Sequence, residues 1–248
     1  MIYLTVPSMM KYAVNLKNKK RRSTNMSHII DLSINIENNM PFYPGDPKPL
    51  IRPALTLDDD GCRVTVLNIG SHTGTHMDAP SHFMPQGKTI NEISLEQCMG
   101  RALVTDLTNL APLTKIMPEH CTNLDRIYDN DIEIVILHTN WTNKAGTDEF
   151  YLHPYLSGEL CDCLISANIK AVGVDMLNVD KTETDEVLYE EGSVAAHNKL
   201  LGKDIIIVEN LYNLDSLSTD TPFVTFAPLK IIGADGSPVR AYAIENDL

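Results

Sequence analysis

A mixed α/β (α+β) chain whose strands and helices share one core follows from three observations in the sequence. Short apolar, β-branched runs recur at 132–137, 171–174 and 204–208, as expected of strands buried on both faces. Between the first two, Leu156, Leu160, Cys163, Leu164 and Ala167 repeat at helical spacing. Such alternation of strand and helix excludes an all-helical bundle and a sandwich. The third observation is composition: 248 residues, 43% hydrophobic and 21% charged, suffice for a substantial core, and nothing in the pattern forces a second domain.

Taken in order, residues 1–25 stand apart, because their six charged side chains are all basic and the first acid is Asp31. Their apolar stretch precedes the charges, the reverse of a secretory signal, so they read as a disordered tail ahead of a single domain spanning 26–248. Residues 27–36 form a first strand, and M-P-F-Y-P-G-D-P after it forms a rigid turn. The prolines there hold Phe42 and Tyr43, which either wall a substrate pocket or pack over a core edge. A strand at 63–69 delivers the chain into a histidine-rich loop.

Beyond that loop, a short helix capped by Asn91 or Ser94 leads to a strand at 101–107. The 132–137 strand runs into H-T-N-W, and the helix at 156–167 buries Cys163, so C-D-C at 161–163 reads as packing rather than a metal site. The next strand ends in Asp175, and an acidic loop covers 181–191. Ser193 can cap a short helix over 194–201, with His197 in its middle and Gly202 closing it. The 204–208 strand then ends on Glu209, either a solvated strand end or a ligand.

Charge narrows the choice of partners. Of 20 basic residues six lie in the tail, leaving 14 against 33 acids in the body. Such a surface repels polyanions, which excludes nucleic acid as a partner. No run of eighteen apolar residues exists, so no membrane-spanning helix is expected. Five cysteines without a signal peptide imply free thiols in a reducing compartment, the cytoplasm.

The histidine-rich loop, G-S-H-T-G-T-H-M-D-A-P-S-H-F at 70–83, packs three histidines and one aspartate between His72 and His82. Imidazole and carboxylate together suit Zn²⁺, and nearly as well Mn²⁺ or Fe²⁺. A helix would align His72 with His76, but Gly74, Thr73, Thr75 and Pro80 oppose helix. In a continuous strand His72 and Asp78 would lie roughly 20 Å apart, too far for one ion. The chain must therefore bend near Gly74, giving strand, turn and a short extended piece ended by Pro80. This loop offers only a partial shell, which His197 and Glu209 can complete. His82, redirected by Pro80, falls at the rim of the site.

The same residues carry a family resemblance. S-H-T-G-T-H-M-D-A-P-S-H-F resembles the signature of the cyclase family of metal-dependent hydrolases, which includes bacterial kynurenine formamidases and isatin hydrolases. M-P-F-Y-P-G-D-P resembles the family's N-terminal turn, A-A-H-N-K-L-L-G-K-D-I-I-I-V-E-N-L its second metal segment, and A-P-L-K-I-I-G-A-D-G-S-P-V-R-A its C-terminal signature. The resemblance implies a swivelling β/β/α fold and a homodimer. It also implies two Zn²⁺ ions on residues matching His72, His76, Asp78, His197 and Glu209, with the match to His82 as acid/base. Two departures stand out: Tyr43 where formamidases carry tryptophan, and Ala196 where they carry a second histidine.

The expected chemistry follows from the ligands. A bound divalent ion can lower a water's pKa from 15.7 to about 7 and stabilise an oxyanion, while His82 passes a proton to a leaving amine. The leading expectation is hydrolysis of a small formamide, N-formylkynurenine to kynurenine and formate. A cyclic amide is the alternative substrate. No G-x-S-x-G elbow supports a serine hydrolase. The alternative of another class is a non-catalytic metal-binding module, which would need closed coordination.

Overall fold

The computed structural model describes residues 27–129, 131–182 and 194–246. The tail at 1–25, the Ser193 cap and all but the first two residues of the acidic loop at 181–191 lie outside them. In chain order the strands are β1 Ser27–Asp31, β2 Leu50–Leu55, β3 Val64–Asn68, β4 His76–Asp78, β5 Met99–Asp106, β6 Lys115–Ile116 and β7 Ile134–His138. They continue with β8 Tyr155–Leu156, β9 Ala171–Val174, β10 Ile206–Glu209, β11 Phe223–Thr225, β12 Gly236–Pro238 and β13 Tyr242–Asn246. The helices are α1 Leu57–Asp60, α2 Gly158–Ser166 and α3 Ala195–Leu201.

Nine strands form one sheet in the order β1-β13-β11-β5-β7-β9-β10-β4-β12. Its middle, β5-β7-β9-β10, is parallel, and antiparallel strands flank it on both sides. Every residue of β7, β9 and β10 is buried, which is why these strands read as unbroken apolar runs. Alternate side chains separate into two cores: Val135, Leu137, Val172 and Ile207 on the face covered by α2 and α3, and Ile134, Ile136, Ala171 and Ile206 on the other.

The sheet curls rather than lying flat. Ser33, just after the edge strand β1, bridges to Leu211 just after β10, and the Ile34 N–H donates to Thr75 Oγ1 at 2.9 Å, just before β4. In a flat sheet strands seven positions apart would be roughly 33 Å from each other. This curl carries the chain ends of β1 and β10 to the site described below.

The mixed α/β class predicted from sequence is the class observed, with local differences. The first strand stops at Asp31. The expected helix after the histidine loop is one 3-10 turn, Ile90–Glu92, and its start is held by Thr89, whose backbone N–H and hydroxyl donate to the Glu92 carboxylate, rather than by Asn91 or Ser94. In α2, capped by Ser157, the buried face is Leu160, Cys161 and Leu164, while Cys163 is half-buried: Leu156 lies in β8 and not in the helix, so the apolar stripe centres nearer Cys161 than expected. Gly202 is right-handed, φ −66°, and the left-handed residue that stops α3 is Asp204, φ +59°, whose N–H donates to the Leu201 carbonyl while the Ile205 N–H donates to that of Leu200. All five cysteines are free thiols.

Candidate active site

β10 runs antiparallel to β4 with Glu209 opposite His76 and Ile207 opposite Asp78. Residues two apart on a strand share a face, so His76 and Asp78 point the same way, and Glu209 joins them from across the ladder. His76 Nε2 lies 3.4 Å from Asp78 Oδ1 and 3.4 Å from Glu209 Oε2. From α3, the His197 Nε2 comes within 3.5 Å of Asp78 Oδ2 and 3.6 Å of Glu209 Oε1. Gly74, at φ +70°, makes the bend the spacing demanded, and His72 Nδ1 returns to 2.7 Å from Asp78 Oδ1. The structure thus brings all five of the expected ligand residues together.

Each imidazole is oriented from behind. The His76 Nδ1 donates to the Gly74 carbonyl at 2.8 Å, which leaves Nε2 for the two carboxylates. Glu209 Oε1 accepts from the Val179 N–H at 3.0 Å. His72 packs against β12, where a Cβ on Gly236 would stand 2.7 Å from His72 Cε1, so only glycine leaves that space.

The electrostatics are those of a cation site. Burial opposes charge on the three imidazoles, yet the carboxylates beside them outweigh it: His72 is held up at about 9 by Asp78 and Asp235, His76 at about 10 by Asp78 and Glu209, and His197 at about 10 by Asp180, Asp78 and Glu209. Burial alone would raise Asp78, but His72, His197 and His76 hold it well below the usual carboxylate range. Asp78 Oδ2 is buried with no hydrogen-bond partner among the described residues, His197 Nε2 standing 3.5 Å away, a cost a native fold avoids unless something else occupies that oxygen. His76, Asp78 and Glu209 offer donor atoms within 4.8 Å of one another, as do His72, Asp78 and His82. Nitrogen and carboxylate oxygen at these separations fit a divalent ion, with the lone oxygen of Asp78 as its first claim.

His82 sits in the short 3-10 turn Pro80–His82, at the rim as expected. Its ring lies 4.0 Å from that of His72, and its Nδ1 lies 3.3 Å from Asp235 Oδ2, an oxygen also 3.1 Å from His72 Nε2. Burial, aided by His72 and His197, outweighs the pull of Asp78 and lowers His82 to about 4. A cavity of roughly 190 Å³ opens here. Its polar lining is Asp46, His72, His76, His82, Asn178, His197 and Glu209, and its aromatic and apolar lining is Tyr43, Phe83, Leu177 and Val194. Tyr43 therefore lines the cavity, whereas Phe42 is not among the lining residues.

Four residues escaped the sequence reading. Asp235, in G-A-D-G, ties His72 and His82 together and accepts from Ser71 Oγ at 3.0 Å. Asp46, in P-G-D-P, faces the cavity, and burial raises its carboxyl. Asp180 backs His197 at 2.8 Å, and Phe83 stacks on the His197 ring at 4.6 Å. Asp235, Asp46 and Phe83 stood inside motifs already singled out, but nothing in the spacing tied Asp235 to histidines more than a hundred residues away or turned Asp46 toward His72 and His76.

With this geometry in hand, likeness to known proteins can be set beside it. Residues 30–181 match a family model described as "Putative cyclase". A kynurenine formamidase from Bacillus cereus is 31% identical over 217 residues, covering 87% of this chain and 96% of the relative. An isatin hydrolase A from Labrenzia aggregata, bound to benzyl benzoate, superposes with a TM-score of 0.78 at 24% identity, covering 89% of this chain and 94% of that one. A protein described as a potential metal-dependent hydrolase with cyclase activity superposes at 0.68 and 23% identity, covering 90% and 100%. At these identities the two structural likenesses are likenesses of fold.

Proposed function

The chain belongs to the cyclase family, and from that membership we propose that it is a metal-dependent hydrolase of a small amide, an arylformamidase cleaving N-formylkynurenine to kynurenine and formate. The observation that carries this reading is the buried Asp78 carboxylate, shared by two donor groups, with one oxygen that accepts no hydrogen bond among the described residues. His72, His76, Asp78, His197 and Glu209 would hold the metal. Zn²⁺ is the ion proposed, with Mn²⁺ as the alternative, and three imidazoles with two carboxylates would be enough donors for two ions. When bound, the metal supplies a Lewis acid that polarises a carbonyl and acidifies water.

The chain's own residues do the rest. His82, held low by burial, enters the reaction neutral: it takes a proton from the attacking water and returns it to the leaving nitrogen. Asp235 holds His82 Nδ1, which leaves Nε2 to carry that proton. Tyr43, Phe83, Leu177 and Val194 offer an apolar wall for an aromatic ring and exclude water from it.

A cyclic amide is the second reading, supported by the likeness of fold to isatin hydrolase A, and Tyr43 and Ala196 depart from the formamidase pattern. The protein is further proposed to be cytoplasmic and homodimeric. Five free thiols and the want of a long apolar helix among the described residues support the first. The second is supported by the β2–β3 hairpin, a separate two-stranded sheet with Leu50 and Leu67 about half exposed, which a second copy would cover. Incubating zinc-loaded protein with N-formylkynurenine and with isatin, each followed by product absorbance, tests the proposal. Bound metal with turnover of neither substrate would leave the non-catalytic metal module in its place.

A further inference from the structure

We propose that Asp180 is the positioning residue for His197, fixing which imidazole nitrogen faces the metal site. Asp180 is 3% exposed, and among the described residues its carboxylate makes three hydrogen bonds to the start of α3. Its Oδ1 accepts from the Ala196 N–H at 2.8 Å, and its Oδ2 accepts from the His197 N–H at 3.0 Å and faces His197 Nδ1 at 2.8 Å. A carboxylate only accepts, so Nδ1 carries the proton and donates. Nε2 is then the nitrogen with a lone pair to give, and it is the one directed at Asp78 and Glu209. The residue at the N-cap of α3, Val194, has no side chain able to cap, so Asp180 also supplies what the helix start lacks. One carboxylate fixes both the helix that carries His197 and the tautomer of its ring.

The substitution that tests this is Asp180→Asn, which keeps one accepting oxygen and removes the charge. With its NH2 toward His197 the amide drives the imidazole proton to Nε2 and removes the lone pair, and with the amide reversed the NH2 meets the Ala196 N–H and Nδ1 keeps only a neutral acceptor. Loss of such a backing group costs about 10- to 100-fold in metal affinity. The inference rests on the reading of His197 as a ligand, and the experiment keeps the two apart. Zn²⁺ affinity is measured by competition with a chromogenic chelator in wild type, Asp180→Asn, His197→Ala and the double variant.

The expected result is a fall of about 10- to 100-fold for Asp180→Asn in the wild-type background and none in the His197→Ala background, because the effect passes through that ring. Equal affinity of Asp180→Asn and wild type, or the same loss in both backgrounds, would overturn the positioning role while the ligand reading stands. Wild-type affinity in His197→Ala would overturn the ligand reading and this proposal with it. A measurement that needs no variant guards against misfolding: ¹⁵N NMR of zinc-loaded wild type is expected to show the His197 Nδ1 protonated, and a protonated Nε2 overturns the proposal.

Discussion

Glu209, the last residue of β10, stands directly opposite His76, the first residue of β4, in an antiparallel register that also sets Ile207 opposite Asp78. Two donors distant in sequence are therefore fixed by main-chain ladder bonds, with little left to loop motion. Glu209→Gln keeps the strand but withdraws one anionic oxygen, and Asp78→Ala removes the carboxylate common to both donor groups. Elemental analysis of purified protein is expected to show metal lowered in Glu209→Gln and lost in Asp78→Ala. Full occupancy in Asp78→Ala would remove that residue from the site.

His82 stands among potential donors, yet its proposed role is proton transfer. His82→Ala is expected to keep its metal and lose about 10²- to 10⁴-fold in kcat, the usual worth of a general acid–base group. An activated formyl ester of a phenol needs little protonation on departure, so the variant should hydrolyse it nearly as well as wild type while failing on an anilide. Loss of metal, or equal loss on both substrates, would make His82 a ligand or a substrate-positioning group.

Gly236 is needed for space. Its replacement by alanine puts a methyl group 2.7 Å from His72 Cε1 and 3.0 Å from the Met77 carbonyl, so the imidazole must move. Overpacking of this kind costs about 1–3 kcal/mol. Gly236→Ala is expected to lower both the unfolding midpoint and the metal content. A crystal structure of the variant with His72 unmoved would contradict the steric argument.

How much of this was legible in sequence depended on whether the signal was local. Gly74 among β-branched residues announced the bend, and I-I-I-V before Glu209 announced a buried strand with an acid at its end. The roles of Asp235 and Asp180 depended on the fold. Asp235 reaches His72 and His82 because β12 pairs with β4, and Asp180 meets His197 because the chain returns to the site after residues 183–193. The helix at 156–167 was legible as a helix, but Leu156, counted into its apolar stripe, belongs to β8, and without it the buried face centres on Leu160 and Leu164 with Cys161 rather than Cys163 beside them.

Outside the site, His153 is fully buried, with Nδ1 2.6 Å from the Pro154 carbonyl and Nε2 2.7 Å from Thr182 Oγ1. Burial lowers it from 6.5 to about 4, so the folded protein keeps the neutral ring while the unfolded chain takes a proton first. Its contribution is complete above pH 6.5 and is lost as the pH falls toward 4. At pH 5 the loss is about 2 kcal/mol. Denaturant unfolding of wild type and His153→Gln at pH 7 and pH 5 is expected to show a steeper decline in wild type. Parallel declines would contradict it.

The most direct test of the central claim removes the metal and returns it. Protein stripped by a chelator, with the loss verified by elemental analysis, is expected to stop converting N-formylkynurenine and to recover on addition of Zn²⁺ or Mn²⁺. Stripped protein that goes on releasing kynurenine at the original rate would contradict a metal-dependent hydrolase built on Asp78.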